Sequence, residues 1–231
     1  MCELERVDAA LKNLTELQEQ KEKRKKGSGK EARCSKTDLQ ARNMPRSTRQ
    51  SGGDGGVRPA YNVQFATDGD ARVIVSVAVT NNGSDGGQMV PLYEDVCERY
   101  GKVPDNYIVD GGFSTNDDIT QVEQSGSQVV APMTHEDRIL KRGGDPHKPR
   151  KGDSEEMAAF RERMKSDESK SLLKERPSIA EFPAEFLNAE CHNRGRHQFR
   201  VRGLQKVRTS SLWYAITFNF MRMIHLGAIP A

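Results

Sequence analysis

The pattern between Tyr61 and Pro132 leaves few folds open. Tyr61-Asn62-Val63-Gln64-Phe65-Ala66 alternates apolar and polar residues, and Arg72-Val73-Ile74-Val75-Ser76-Val77-Ala78-Val79 is rich in β-branched side chains. With the turn residues Asp68-Gly69-Asp70 between them, the two segments predict a hairpin. Gly83 to Gly87 then leads into a helix over residues 88–100, with Met89, Leu92, Val96 and Tyr100 on one stripe. Tyr107-Ile108-Val109 predicts a short buried strand, residues 117–126 a short helix, and Gln128-Val129-Val130-Ala131-Pro132 another strand. Helical crossovers after an antiparallel hairpin require parallel pairing, so the expectation is an α/β fold built on one mixed sheet with flanking helices.

The flanks read differently. Residues 1–26 predict a charged amphipathic helix: Leu4, Val7, Leu11 and Leu14 follow heptad spacing, the seam turns polar at Gln18, and Gly27-Ser28-Gly29 stops it. Two heptads cannot hold a coiled coil alone, so this seam calls for more chain or another copy. Residues 27–60 read as a flexible basic linker, with Ser51-Gly52-Gly53-Asp54-Gly55-Gly56 too poor in side chains to pack. Residues 61–231 form the expected main domain. Within it, 134–153 is a basic excursion, and helices follow over 154–165 (Ser154 capping; Met157, Phe160 and Met164 inward), 167–176 and 178–192, with Pro177 as the break. Ser211 to Leu226 is an apolar helix carrying Leu212, Trp213, Ile216, Phe220, Met223 and Ile224. Its Asn219, Arg222 and His225 point to a core helix rather than a membrane span. No run approaches a membrane-spanning length, and the first residues lack the apolar core of a signal peptide. The cysteines Cys2, Cys34, Cys97 and Cys191 show no paired spacing, which argues against a disulfide framework or zinc knuckle and suits a reducing cytosol.

Charge is segregated. Residues 1–60 carry 14 Lys/Arg against 9 Asp/Glu, residues 61–135 carry 3 against 11, and residues 136–231 carry 19 against 13. After Glu190 there are 7 basic residues and no acidic one. Basic blocks around an acidic block suit a polyanion-binding protein with a cation-binding centre, although solvated surface charge produces the same pattern.

Asp110 ends a predicted buried strand before Gly111-Gly112, the edge of an α/β sheet where ligands bind. Ala180-Glu181-Phe182-Pro183-Ala184-Glu185-Phe186-Leu187 is a near-tandem repeat that sets Glu181 and Glu185 four residues apart, on one face of a helix. One of these glutamates aimed at Asp110 would give a carboxylate set able to hold two metal ions for phosphodiester chemistry; the alternative is a pair of solvent-facing glutamates. His135, His147, His192, His197 and His225 show no ligand spacing.

Several stretches carry a resemblance. Gly56-Val57-Arg58-Pro59-Ala60-Tyr61-Asn62-Val63-Gln64-Phe65-Ala66-Thr67-Asp68, Val79-Thr80-Asn81-Asn82-Gly83-Ser84-Asp85, Val109-Asp110-Gly111-Gly112-Phe113, Lys174-Glu175-Arg176, Asn193-Arg194-Gly195 and Gln198-Phe199-Arg200-Val201-Arg202-Gly203-Leu204 together resemble DDE transposases of bacterial insertion sequences. The likeness runs from Ser35 to Leu226 in the family's order. It implies a ribonuclease-H-like domain in which three carboxylates hold two Mg²⁺ (or Mn²⁺) ions, cleave DNA and transfer a strand. It further implies DNA as partner, both insertion-sequence ends and target, a homo-oligomer or association with full-length transposase, and a bacterial, nucleoid-associated location.

On this resemblance Asp110 matches the second carboxylate and metal ligand. The third is Glu181 counted from Arg176, or Glu185 counted back from Asn193-Arg194-Gly195; Leu173 stands where the family has tyrosine. The first carboxylate belongs to an Asp-Gly-Thr motif that these 231 residues do not contain. Asp8 sits in a charged helix, Asp38 matches another motif, and Asp68 falls in the hairpin turn. The expectation is a partial, N-terminally truncated transposase lacking the first strand, without strand transfer of its own. Alternatives are a non-catalytic remnant that binds DNA or full-length transposase, and a metal-dependent nuclease of the same fold. Arg194, Arg196, Arg200, Arg202, Lys206 and Arg208 are the expected DNA-phosphate contacts. Trp213 and Tyr214 are expected in the core rather than as base-stacking platforms.

Overall fold

The computed structural model describes residues 3–23, 31–45, 56–181, 183 and 198–229. It is a mixed α/β protein with two compact bodies. One comprises residues 1–64, 78–83 and 196–214; the other comprises 65–77, 84–195 and 215–231.

In the first body, helix α1 (Glu3–Lys23) is followed by strands β1 (Arg42–Pro45) and β2 (Val57–Ala60). The strands pair antiparallel with Arg42 opposite Ala60. They lie inside the stretch expected to be linker. Pro45 and Pro59 cannot donate to a ladder, and a two-stranded ribbon with only edges accommodates that. Side chains tie α1 to the segment after it: Asn13 donates to the Leu39 carbonyl (2.8 Å), and Gln18 accepts from the Ala32 amide (2.8 Å). The heptad seam is left outward, with Leu4, Val7 and Leu11 exposed.

Strands β3 (Asn62–Thr67) and β4 (Ile74–Thr80) form the expected hairpin. The turn is closed by Asp68 N–H to the Val73 carbonyl (2.9 Å), and the Asp68 carboxylate accepts from the Ala71 amide (2.7 Å).

The second body holds α2 (Met89–Tyr100), β5 (Asn106–Ile108), α3 (Asn116–Gln124) and β6 (Gln128–Val130). β5 and β6 pair parallel, Tyr107 opposite Val129, across the α3 crossover as the pattern predicts. Thr115 caps α3 through the Asp118 amide. Helices α4 (Glu136–Lys141), α5 (Glu155–Arg163) and α6 (Asp167–Arg176) follow. Ser154 caps α5 through the Met157 amide (3.1 Å), as its sequence position implies. The core gathers Met89, Tyr93, Val109, Ile119, Val122, Val129, Val130, Met157, Phe160 and Met164, all buried. Arg163 binds Glu123 and donates to the Val129 carbonyl (3.0 Å), which joins α5, α3 and β6.

Two expectations need correction. The described strands form three two-stranded sheets rather than one mixed sheet. β5 and β6 are only three residues long, and on β4 the Val75 carbonyl accepts from the Tyr100 hydroxyl (3.2 Å) while Ser76 binds Asp95 of α2. The last helix, α7 (Leu204–His225), is apolar but not wholly core. Val207, Ser211, Ala215 and Phe218 are its buried stripe, whereas Leu212, Ile216, Phe220 and Met223 are exposed and Trp213 is 66% exposed. Polar residues do the docking in the second body: Asn219 donates to the Ile74 carbonyl and accepts its amide (2.8 and 2.7 Å), and Arg222 donates to the Ala71 carbonyl (2.8 Å).

Candidate functional site

Asp110 sits two residues past the carboxyl end of β5, where the chain leaves the core at buried Val109. Its Oδ1 accepts the Gly111 amide (2.8 Å), and its carbonyl accepts the Phe113 amide (3.0 Å), which folds the loop back on itself. The carboxylate is 57% exposed and faces Arg176, whose guanidinium nitrogen lies 3.8 Å from Oδ1. Helix α6 packs against β5 and β6, and its last residue, Arg176, is thereby delivered to the strand end. At 3.8 Å the pair is ionic rather than hydrogen-bonded, and half-exposed pairs of this kind contribute little stability.

The glycines beside Asp110 adopt ordinary backbone angles. A Cβ at Gly112 would meet Asp85 Oδ2 at 3.7 Å, an unstrained contact. Asp85 is thus a second carboxylate at this loop. It lies within the stretch Val79 to Asp85 that carries the family resemblance, yet its position beside Gly112 requires the fold.

Proline at 177 removes the amide that an α-helix would use, and α6 ends at Arg176. The chain does not turn away there: it continues as a π-helical turn over Pro177–Glu181. Glu181 therefore follows α6 directly, at the end whose Arg176 faces Asp110. The Glu181 side chain, Glu185, Arg194 and Arg196 lie outside the described residues, as does most of the helix expected over 178–192.

The other aspartates have structural work. Asp38 Oδ2 accepts the Tyr61 hydroxyl (2.8 Å) and the Gly203 amide (3.1 Å). Gln40 Oε1 accepts the Leu204 amide (2.8 Å). Two side chains from the segment before β1 thus satisfy amides at the start of α7, the groups every helix leaves unpaired. Burial, and then the bond to Asp38, push the Tyr61 hydroxyl far above its ordinary pKa. Gly203 has φ +88°, and a Cβ there would come within 3.0 Å of Gln40 Oε1. Glycine is required at this corner. Asp68 serves the hairpin turn. Asp153 forms a nearly dry pair with Arg161 (2.7 Å; side chains 7% and 4% exposed).

Arg200 and Arg202 lie just before α7, and Lys206 and Arg208 lie on its first turns; all four are exposed. The Asp38 and Gln40 anchors fix the backbone from which they project.

Among the described residues no group of three His, Cys, Asp or Glu side chains is close enough to hold a metal ion. Asp110 faces a guanidinium, with Asp85 as the carboxylate beside its loop. The described side chains do not fit a two-ion centre. No described helix is long and apolar enough to cross a membrane. No family model, curated protein or solved structure matches the chain.

Proposed function

We propose that the chain is a DNA-binding member of the DDE transposase lineage with a ribonuclease-H-like core, and that it performs no strand transfer by itself. The observation that carries this reading is the parallel β5–α3–β6 unit whose first strand leads into Asp110, with α6 bringing Arg176 onto that carboxylate and Glu181 one turn further on. This is the arrangement the resemblance implies for the second and third carboxylates. The Asp-Gly-Thr motif is missing, and Asp68 and Asp38 are committed to turn and anchor roles rather than to the first position. Each phosphodiester step of the intact family needs that carboxylate to help hold its metal ions.

DNA binding is assigned to Arg200, Arg202, Lys206 and Arg208, with Arg194 and Arg196 extending the same sequence run. Contacts of this kind read phosphates and not base edges, so binding is sequence-independent and steeply salt-dependent.

The test is fluorescence anisotropy on duplex DNA across a salt series, beside a strand-transfer assay with Mg²⁺ or Mn²⁺ and DNA bearing insertion-sequence ends. Arg200→Ala with Arg202→Ala should lower affinity and flatten the log–log salt slope by about 2, near 0.9 per lost phosphate contact. An unchanged slope removes the DNA surface from the reading. Strand transfer by the purified 231-residue chain removes the claim that it is inactive alone.

A further inference from the structure

A cleft unrelated to Asp110 opens in the second body, among α4, the loop after it, the end of α5 and one face of α6. Its volume is about 230 Å³. Its floor is apolar: Met133 and Met164, both buried, with half-buried Leu173. Its polar lining is lopsided in charge. Lys170 and Lys174 stand four residues apart on α6, one helical turn and hence on one face. Across from them is His147, with Glu136 Oε1 3.9 Å from its Nε2.

Two further observations bear on what the cleft takes. The Nδ1 of His147 is buried and has no hydrogen-bond partner. A buried ring nitrogen left unmatched is costly, and a turn of the ring toward the cleft it lines would pair it with a ligand oxygen. Lys170 is only loosely held, its Nζ 3.7 Å from a fully exposed Asp167 carboxylate, so its charge is available to a ligand. Glu136 is paired with His147 rather than with either lysine.

We propose that this cleft binds a small organic anion: an apolar or aromatic body on the Met133–Met164–Leu173 floor, with one phosphate or carboxylate group held by Lys170, Lys174 and His147. Its size decides against larger ligands. Drug-sized and cofactor pockets begin at about 300 Å³, so this cleft admits a fragment of roughly aryl-phosphate size rather than a dinucleotide or a DNA strand. The inference is independent of the DNA surface proposed above.

The test uses the full chain with ¹³C-methyl methionine, titrated separately with phenyl phosphate, inorganic phosphate and phenol. The expected result is saturable movement of the Met133 and Met164 methyl signals with phenyl phosphate, at affinity at least tenfold above either half-ligand alone. Lys170→Ala with Lys174→Ala should weaken phenyl phosphate about tenfold, the scale of a lost charge-assisted contact. Still methyls at Met133 and Met164 would overturn the site. Equal binding of phenol would overturn the anion contact, and equal binding of inorganic phosphate the apolar one. These ligand comparisons use the unaltered protein, so the outcome does not depend on the double variant folding.

Discussion

The two bodies are held by different forces. Among the described residues of the second, a run of large apolar side chains is buried, from Met89 through Phe160 and Met164 to Phe218. Among the described residues of the first, the buried apolar ones are Ala10, Ala41 and Val207, none larger than valine. There the long-range ties are single polar side chains reaching backbone: Asn13 to Leu39, Gln18 to Ala32, Asp38 to Gly203, Gln40 to Leu204, Asn81 to Gln40. Apolar burial is distributed, and its free energy grows with area. A polar tether is local: each contributes about 0.5–1.5 kcal/mol, and removing one strands its partner. The second body should therefore fail globally and the first locally.

The largest effect should come from the packed side. Phe160→Ala empties a fully buried site and should cost about 3–5 kcal/mol, read from the denaturant midpoint. A loss below about 1 kcal/mol would mean that this core is loosely packed. Asp153 sharpens the same body through its nearly dry ion pair with Arg161. Burial pushes its carboxyl up, but the Arg161 side chain and the Arg150 amide outweigh that and hold it below its ordinary value. A carboxyl lowered in the folded state contributes stability above its unfolded pKa, near 3.9, and loses it as pH falls through the folded value. Asp153→Asn should therefore destabilise the protein by about 1–3 kcal/mol at neutral pH and flatten the acid limb of the stability curve. An acid limb of unchanged steepness would exclude Asp153 as its cause.

Asp38→Ala probes the tethered body. It should cost about 1–3 kcal/mol, felt first at the start of α7. Amide exchange at Gly203 and Leu204 should accelerate while exchange at Val129 and Val130 stays slow. Uniform acceleration in both bodies would break the comparison. The smallest effect is expected at Trp213. Trp213→Ser should change stability by less than about 0.5 kcal/mol, and the tryptophan emission of the unaltered protein should be quenched readily by acrylamide.

The second body was the more legible from sequence, for the same physical reason. Short elements with one-sided periodicity, such as Ile119 and Val122 on α3, reveal which side faces inward. So does the capping serine at 154. The exposed face of α7 is not legible from sequence because both its stripes are apolar: Leu212, Ile216, Phe220 and Met223 form one, and Val207, Ala215 and Phe218 the other. The decision was made by Asn219 and Arg222 bonding the hairpin, and no periodicity announces that. β1 and β2 flank a glycine-rich run and carry prolines, so composition hid them. At the candidate site, Asp110 was legible because it ends a strand before glycines. Arg176 and Asp85 were not, since each reaches the loop through packing. The anchor at Asp38 was equally hidden: its partner Gly203 is 165 residues away.

The two bonds between Asn219 and the Ile74 backbone span 145 residues. A ribosome would release the Asp68–Val73 turn long before the residue that clamps it. Until then the hairpin is held by its own ladder and by the side chains of Tyr100 and Asp95 from α2, and two strands alone are marginal in water. The cost of closing so long a loop rises only slowly with its length, but it must be met before the clamp returns anything. Folding of β3 and β4 should therefore be late and tied to α7, and Asn219→Ala should lengthen the interval in which a bare strand edge is open to a neighbouring chain.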